Sequence, residues 1–401
     1  MVINSVNKRY VPKLRFKGFE GEYKEIKISD VSKFYKGDGY SKKDIIDNGK
    51  YEVILYGDLF TTYKNNIEEI KYKTNRIGNK KTRNNSILFP GSSTSLNDFF
   101  PCCSIKKEVF AGSDLNIFEL NINEDSLYYS YCFSKPCHLK NIFRLTEGST
   151  INHLYGKYIS EYKLIVPDQL IEQEEISSFF NLLDKQISLL ENKLKLIEQM
   201  KKYYLYKMIN IGNKFLIRFN EFKDSSIENA QLTSLVKLNK YKQISASELE
   251  QLNSKSGNIK LLPSSKDFDW FSDLVDIKDN RVNYGNVITL GRARYANIKK
   301  WKGHFISSNN IIIENNNNVV FDYLYHLINK NKKKFYIEKT TYPVFSSEIF
   351  KEFDCSIPSN INEQIKISDF LNKIEWIELH IKNKIELTKK RKSFYLNNLF
   401  I

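Results

Sequence analysis

The sequence lacks several features that define large classes of protein. None of its 401 residues falls in an apolar run of about 18, so no transmembrane helix is expected. The first residues lack the apolar segment of a secretory signal. Five cysteines form no C-x-x-C pair, which argues against a zinc site and against a disulfide framework. These absences predict a protein of the reducing cytoplasm.

Catalytic motifs are also missing. All eight prolines are isolated, so the (D/N/S)-P-P-(F/Y/W) motif of amino-methyltransferases does not occur. No G-x-x-x-x-G-K-(S/T) phosphate loop is present. The five histidines have no metal-ligand spacing, no catalytic triad can be assigned, and no carboxylate set indicates a nuclease metal site. The sequence is therefore typical of a binding protein, and a self-sufficient nuclease or methyltransferase is disfavoured.

What the chain has in excess is positive charge. There are 62 lysines and arginines against 47 acidic residues, a formal net charge of +15. Such a surplus favours a polyanionic partner, because each neutralised phosphate releases counterions. The alternative is a lysine-rich, asparagine-rich composition that comes from an A·T-biased genome. Apolar content of 41% and aromatic content of 14% indicate a folded chain, and no lipidation motif points to a membrane.

One segment of the chain occurs twice. Residues 166–209 and 357–400 align without a gap at an offset of 191, with 13 identities in 44 positions. The shared residues include a proline at the start, a Glu-Gln pair, an Ile-Ser pair, a phenylalanine and a Tyr-Leu pair near the end. A repeat of this period indicates a duplicated domain or supersecondary unit. The chain is therefore predicted to consist of two halves, each ending in a long helix.

Both copies carry the 4-3 spacing of a coiled-coil seam. The first seam is Ile176, Phe180, Leu183, Ile187, Leu190, Leu194, Ile197, Lys201, Tyr204 and Met208. The second is Ile367, Leu371, Ile374, Glu378, Ile381, Ile385, Thr388, Lys392, Tyr395 and Leu399. Polar residues interrupt the second seam more often, so it is predicted to be weaker. Packing the two helices together would bury both seams; the alternative is two independent core helices.

The globular parts repeat more faintly. Residues 85–95 resemble 286–295, residues 114–120 resemble 308–314, and residues 126–133 resemble 319–328. Short apolar runs punctuated by glycine and asparagine predict mixed α+β units. The predicted divisions are a first globular domain at 1–165, a central helix at 166–210, a second globular domain at 211–356 and a C-terminal helix at 357–401.

Three motifs resemble the specificity subunit of type I restriction–modification systems. The first is the paired segment at 166–181 and 357–372. The second is Pro12–Phe19, similar to an amino-terminal P-x-L-R-F-x-G-F pattern of that family. The third is Gly39–Ile45 followed by Gly49, Tyr51 and Leu55–Leu59, which looks like a recurring variant of the first target-recognition domain. The resemblance covers almost the whole chain.

The resemblance implies a fold, a function and partners. The fold would be α+β, with two target-recognition domains separated by two long helices packed as an antiparallel coiled coil. The chain would be non-catalytic and would read a bipartite, asymmetric site in double-stranded DNA. Two modification subunits would bind it and carry S-adenosylmethionine for adenine methylation. Two restriction subunits that can join them would supply ATP- and Mg²⁺-dependent cleavage.

Basic loop residues beside glycine, serine and asparagine are the candidates for DNA contact, because phosphates attract Lys and Arg, and base edges accept bidentate side chains. In the first unit they are Lys42, Lys43, Arg76, Lys80, Lys81, Arg83, Ser92, Ser93 and Thr94. In the second they are Arg292, Arg294, Lys299, Lys300, Trp301 and His304. The alternative for each is an ordinary surface role or, for Trp301, a place in the core. The rival function is a scaffold that holds two protein-binding modules.

Overall fold

The computed structural model of the protein describes residues 10–94, 99–209, 216–238, 241–254, 256–265, 269–273, 279–293, 297–338 and 342–401. The chain divides into two compact units. Unit 1 contains residues 1–191 and 383–401, and unit 2 contains residues 192–382. Each unit therefore combines one globular region with a part of each long helix.

The strands and helices of the first half alternate along the chain. Its strands are β1 (Lys24–Lys27), β2 (Ser32–Lys36), β3 (Tyr51–Ile54), β4 (Asn66–Ile67), β5 (Tyr72–Thr74), β6 (Ser86–Pro90), β7 (Ser92–Ser93), β8 (Cys103–Ile105), β9 (Phe110–Ala111), β10 (Leu115–Leu120), β11 (Asn152–His153) and β12 (Lys163–Val166). Its helices are α1 (Ile28–Val31), α2 (Asp58–Thr61), α3 (Ser126–Phe133), α4 (Pro136–Arg144), α5 (Gly156–Ser160) and α6 (Leu170–Met208), with a 3-10 turn at Lys42–Asp44.

The second half follows the same plan. Its strands are β13 (Ile227–Gln231), β14 (Val236–Leu238), β15 (Ile259–Leu262), β16 (Phe271–Ser272), β17 (Asn283–Gly291), β18 (Ile298–Ser307), β19 (Asn310–Asn315), β20 (Tyr336–Glu338), β21 (Pro343–Phe345) and β22 (Asp354–Pro358). Its helices are α7 (Leu232–Leu235), α8 (Ala246–Gln251), α9 (Phe321–Asn331), α10 (Ser347–Lys351) and α11 (Ile361–Leu399), with 3-10 turns at Asn220–Phe222 and Lys332–Phe335.

The main sheets of the two units have the same strand order. In unit 1 the order is β2-β10-β6-β8-β4, and in unit 2 it is β14-β19-β17-β18-β15, with β16 added at the edge. In both sheets the last of the shared pairs is parallel and the other three are antiparallel. A separate two-stranded pair, β1 with β12 or β13 with β22, precedes each long helix. The faint repeat predicted for the globular parts is thus confirmed as a duplicated fold.

The predicted seams are confirmed by burial along both long helices. Every seam position is buried or half-buried. In unit 1, Asp184 pairs with Lys392 at 2.6 Å and Glu191 pairs with Lys389 at 2.7 Å. Partners that lie later in α6 lie earlier in α11, so these helix segments run antiparallel. The rings of Phe179 and Tyr395 meet edge to face beside them, with centroids 4.9 Å apart.

The same arrangement recurs in unit 2 around a lysine in the seam. Lys201 lies 3.0 Å from Glu375 and 3.1 Å from Glu378, and Glu198 pairs with Lys382 at 3.3 Å. Burial opposes the charge on Lys201, but the two glutamates outweigh it and raise its pKa. Two of the predicted interruptions of the second seam, Glu378 and Lys392, are therefore ion-paired with the other helix.

A buried arginine–glutamate pair holds the start of each long helix. Arg15 donates from Nε and Nη2 to the two carboxylate oxygens of Glu172, both at 2.8 Å. Arg218 makes the same bidentate pair with Glu363, at 2.8 and 2.6 Å. Glu172 is 1% exposed and Glu363 is 0% exposed. These glutamates are the aligned members of the repeated Glu-Gln pair, so the identity reflects a shared structural role.

The neighbouring glutamine forms a second clamp. The Gln173 side chain donates to the carbonyl of the proline six residues earlier (3.1 Å) and accepts from the N–H of Asp125 just before α3 (2.9 Å). Gln364 repeats both bonds, with the proline six residues before it and with the N–H of Val320 just before α9, each at 2.8 Å. These bonds tie the start of each long helix to the proline that precedes it and to the start of a short helix, α3 in unit 1 and α9 in unit 2.

The end of each long helix completes a globular core. Phe400 is 2% exposed, and its ring lies 5.1 Å from Tyr128 and 5.5 Å from Phe180 in unit 1. In unit 2, Met208 and Ile209 are buried in the main apolar cluster. Each globular region therefore needs a helix end from the other half of the sequence.

A lysine caps each of these helix ends. Lys135 donates to the carbonyl of Phe400 at 3.0 Å in unit 1. Lys330 donates to the carbonyls of Tyr206, at 3.1 Å, and Ile209 in unit 2. These lysines satisfy carbonyls that have no partner within the helix and complement the negative end of its dipole. No helix in the described part of the chain is long and apolar enough to cross a membrane.

We expect Glu172→Ala and Glu363→Ala each to lower the free energy of unfolding by about 3–5 kcal/mol, because each leaves a mostly buried guanidinium without its counter-charge. Urea unfolding of the full chain measures the loss. Glu174→Ala is the matched control, since Glu174 is exposed on the same turn of α6. An equal loss in the control would contradict the assigned role of the pair.

Candidate nucleic-acid interface

In unit 1 two loops that carry candidate residues are bonded to each other. The Asp38 carboxylate accepts from the N–H of Gly39 at 2.8 Å and from the N–H of Asn79 at 2.7 Å. These backbone hydrogen bonds, first that of Asn79, hold the pKa of Asp38 below its usual range. The hydroxyl of Tyr40 donates to the carbonyl of Arg76 at 3.2 Å. The loops around residues 37–44 and 75–81 thus form one basic ledge.

Glycine is required where these loops approach the backbone. A Cβ on Gly37 would lie 1.9 Å from the carbonyl oxygen of Gly112. A Cβ on Gly78 would lie 2.5 Å from the Tyr40 hydroxyl. The Gly37-Asp38-Gly39 segment is a turn that positions the ledge.

Four lysines of the ledge are exposed. Lys42 and Lys43 open a 3-10 turn whose N-cap, Ser41, accepts from the N–H of Lys43. Within the described residues the ammonium groups of Lys42 and Lys43 have no hydrogen-bond or ion-pair partner. Lys81 lies with Nζ 4.8 Å from the centre of the Phe110 ring, and Lys80 precedes it. The structure therefore brings Lys42, Lys43, Lys80 and Lys81 onto neighbouring loops.

The two candidate arginines of this unit, Arg76 and Arg83, are held in place by protein groups. Arg76 donates from Nη1 to the carbonyl of Gly39 at 2.5 Å and to Asp44 at 3.3 Å, and it stacks on the Tyr40 ring at 4.8 Å. Arg83 pairs with Glu108 at 2.7 Å. Both side chains remain about half exposed, so each can still meet a ligand in a fixed orientation.

The candidate residues with hydroxyl side chains follow Phe89-Pro90-Gly91, and most of them lie inside the fold. Ser92 and Ser93 are buried in β7, and the Ser92 hydroxyl donates to Asp114. Ser93 is opposite Asn152 in the short β7–β11 pair. Only Thr94 is exposed. The structure therefore places the two serines in packing positions and leaves Thr94 at the surface.

In unit 2 the described candidate arginine lies at the end of β17. Arg292 directly follows β17 and is exposed, and its carbonyl accepts from the N–H of Phe345 at 3.0 Å. Its guanidinium has no partner within the described part of the chain. Arg294 lies outside the described residues. Arg292 is thus at a strand end.

The lysines of β18 are used inside the protein. Lys299 is 4% exposed, and its ammonium donates to the carbonyls of Pro263 and Ser265, the latter at 2.7 Å. Lys300 lies 2.8 Å from Asp322 and donates to Asn372 at 2.6 Å. The sequence could not reveal these partners, because they lie 22 to 72 residues away along the chain. Both side chains have structural roles.

The aromatic candidates of β18 differ in exposure. Trp301 is half-buried beside Phe271, and its indole N–H donates to the carbonyl of His304 at 2.9 Å. This is the core role that was the alternative for Trp301. The His304 ring lies 4.9 Å from that of Tyr284, which is 70% exposed. The Tyr284–His304 pair is an outward-facing stacking surface that sequence reasoning identified only in part.

No metal centre is indicated. Among the described residues, no group of three or more His, Cys, Asp or Glu side chains is placed to hold a metal ion. Burial lowers the pKa of His138 and of His326 to about 4, so both rings are neutral near pH 7. Their ring nitrogens bond to Tyr162 and Asn372, respectively.

A family model described as the type I restriction modification DNA specificity domain matches residues 20–199 and 225–389. The chain belongs to this specificity-domain family. The two matched segments correspond to the two halves of the duplicated fold. No curated protein sequence gives a significant match.

A solved structure shares the fold of this specificity-domain protein, and a second one gives a weaker match. The S subunit of a type I restriction–modification system from M. genitalium matches with a TM-score of 0.71 and 16% identity, over 97% of this chain and 99% of that chain. The HsdS subunit from Thermoanaerobacter tengcongensis matches with a TM-score of 0.42 and 9% identity, over 94% of this chain and 96% of that one.

Proposed function

We propose that the chain is the DNA-recognition subunit of a type I restriction–modification complex and that each unit reads one half of a bipartite, asymmetric duplex site. The observation that carries this proposal is the duplicated sheet order with different basic residues on each copy. Two readers with one scaffold and different surfaces suit two different half-sites. Family membership and the net charge of +15 support the same conclusion.

The proposed division of labour leaves chemistry to partner subunits. The chain carries no methyltransferase or phosphate-loop motif. Two modification subunits would bind S-adenosylmethionine and methylate adenine. Two restriction subunits that can join them would use ATP and Mg²⁺. The chain itself would hold the DNA and select its sequence.

Residues of the ledge and the hairpin would divide the recognition of DNA between them. Lys42, Lys43, Lys80 and Lys81 would neutralise phosphates, because lysine acts as a mobile point charge. Arg292 would read a base edge, since a guanidinium can bond to guanine O6 and N7 together. Tyr284 and His304 would contribute contacts beside it.

We expect the quadruple substitution of Lys42, Lys43, Lys80 and Lys81 by Ala to weaken the salt dependence of duplex binding. The slope of log K against log salt should become less steep by roughly 3–4, because each lost phosphate contact accounts for about 0.9 of the slope. Fluorescence anisotropy over a salt series measures the slope. Arg292→Ala should instead change the preferred bases in one half-site.

The matched control for the quadruple lysine variant replaces four other exposed lysines by Ala. These lie on the long helices and are Lys193, Lys195, Lys373 and Lys384. That variant should keep the wild-type slope. A scaffold protein, the rival function, would bind duplex DNA weakly and with little salt dependence in every variant. That outcome would reject the proposal.

We further propose that the helix length sets the number of unread base pairs between the half-sites. Each long helix spans 39 residues, Leu170–Met208 and Ile361–Leu399. A helix advances about 1.5 Å per residue. One added heptad in both helices therefore lengthens the pair by about 10 Å and keeps the seam in register.

We expect seven-residue insertions after both Glu191 and Lys382, which are equivalent in the repeat, to lengthen the unread gap by about 3 base pairs at ~3.4 Å each. Single-molecule mapping of methylated adenines in the host genome reads the gap and both half-sites. As a control, the same seven residues are inserted after Asn317, in an exposed turn before α9. An unchanged gap in the helix variant would contradict the proposal.

Outward-facing apolar residues on the helices are proposed to bind the modification subunits. Leu196 and Tyr203 in unit 2 align in the repeat with Leu387 and Phe394 in unit 1, and all four are at least half exposed. Two equivalent apolar pairs suit two copies of one partner. An amphipathic partner helix could bury each pair.

We expect Leu196→Ser with Tyr203→Ser to remove one modification subunit from the complex, and Leu387→Ser with Phe394→Ser to remove the other. Native mass spectrometry of the co-expressed subunits counts the copies. Lys195→Ser with Lys202→Ser on the same helix is the control, because both lysines are exposed. Retention of two copies in both apolar double variants would place the partner surface elsewhere.

A further inference from the structure

A cavity of about 610 Å³ opens in unit 1 beside the exposed lysine turn. Its size is typical of ligand sites, which occupy ~300–1,000 Å³. Three tyrosines, two lysines and one carboxylate line it together with small residues. They are Tyr40, Lys42, Tyr56, Asp58, Lys71 and Tyr72.

The carboxylate in this cavity is incompletely paired. Asp58 is 6% exposed. Its Oδ1 accepts from the Thr62 hydroxyl at 3.3 Å and lies 3.7 Å from Nζ of Lys71. Its Oδ2 has no partner among the described residues. Asp58 lines the cavity, so this oxygen is an acceptor available to an N–H group of a ligand.

Aromatic and basic groups surround that oxygen. Tyr56 is 38% exposed, and its ring has no ring partner in the described part of the chain. Nζ of Lys71 lies 4.7 Å from the centre of the Tyr72 ring, and the Lys71 side chain is half exposed. Lys42 extends the positive charge to the rim. A stacking face, an acceptor and two cations match the base, amino group and phosphate of a nucleotide.

We propose that this cavity binds one unstacked nucleotide whose base carries an exocyclic amino group. The amino group donates to Oδ2 of Asp58, the base stacks on Tyr56, and Lys42 and Lys71 hold the phosphate. Cytosine, adenine and guanine each carry such a group and fit this arrangement. Thymine does not, because its only N–H lies between two carbonyl oxygens that the carboxylate repels.

The nucleotide has two possible sources, a free mononucleotide and an extrahelical base of bound DNA. The second source rests on the proposed DNA-recognition function, and the first does not. Unpairing a base costs little when it has no partner, so a duplex with one bulged nucleotide tests the second source directly. dCMP and dTMP test the first.

The experiment measures the affinity of the full chain for three duplexes of one sequence: fully paired, with one bulged cytosine, and with one bulged thymine. The bulged-cytosine duplex should bind roughly tenfold more tightly than the paired one, the order of magnitude of one stacked base. Tyr56→Ala and Asp58→Asn should each reduce that ratio towards one. Asp58→Asn keeps an acceptor for Thr62 and protects the fold.

The matched controls are Tyr155→Ala and Asp47→Asn, whose side chains are exposed in unit 1 outside the cavity. Both should keep the tenfold ratio. Tight binding of the paired duplex with no bulge preference would overturn the cavity assignment and leave the proposed function intact. If no duplex binds, the proposed function fails and equilibrium dialysis with dCMP decides: retention lost in Asp58→Asn supports the cavity, and no retention overturns it.

Discussion

The bidentate bond between a buried glutamate and an arginine from the preceding segment is the contact on which the architecture depends. Glu172 and Glu363 each sit in the first turn of a long helix and fix that helix to the segment before the first strand of each globular region. The adjacent glutamines add a second attachment to the helix under the sheet. With the start of each helix fixed, the antiparallel seam follows from the spacing of its apolar residues. The identities shared by the two copies are concentrated where these bonds form.

Much of the fold could be predicted because it depends on periodic features. Seam burial follows from the 4-3 spacing, and the duplicated sheet follows from strand-like runs in the same order. The lysines and glutamates inside the seam needed the structure, because Lys201 and Lys392 find their partners on the other helix. A second signal was available in the sequence. The pattern Leu14-Arg15-Phe16 with Phe19 recurs as Ile217-Arg218-Phe219 with Phe222. This repeat identifies Arg218 as the counterpart of Arg15, and so as the partner of Glu363.

The sequence could not separate basic residues that face solvent from those that are bonded inside the protein, because it shows a charge but not the group that pairs with it. Lys42 and Lys43 resemble Lys299 and Lys300 as neighbouring lysines, yet the first pair is exposed and the second is bonded inside unit 2. The difference arises because β18 lies within a six-stranded sheet against α9, where backbone carbonyls and Asp322 are within reach. Local composition cannot report such long-range partners.

The burial of Phe400 among residues of the first half has a consequence for biosynthesis. On the ribosome the first 191 residues emerge early, but their apolar core stays open until the last helix has been translated. Unit 2 contains only residues 192–382 and can close before unit 1. The domain that is made first is thus completed last, and in that interval its vacant site for the final helix is exposed to chaperones and to misassembly with other chains.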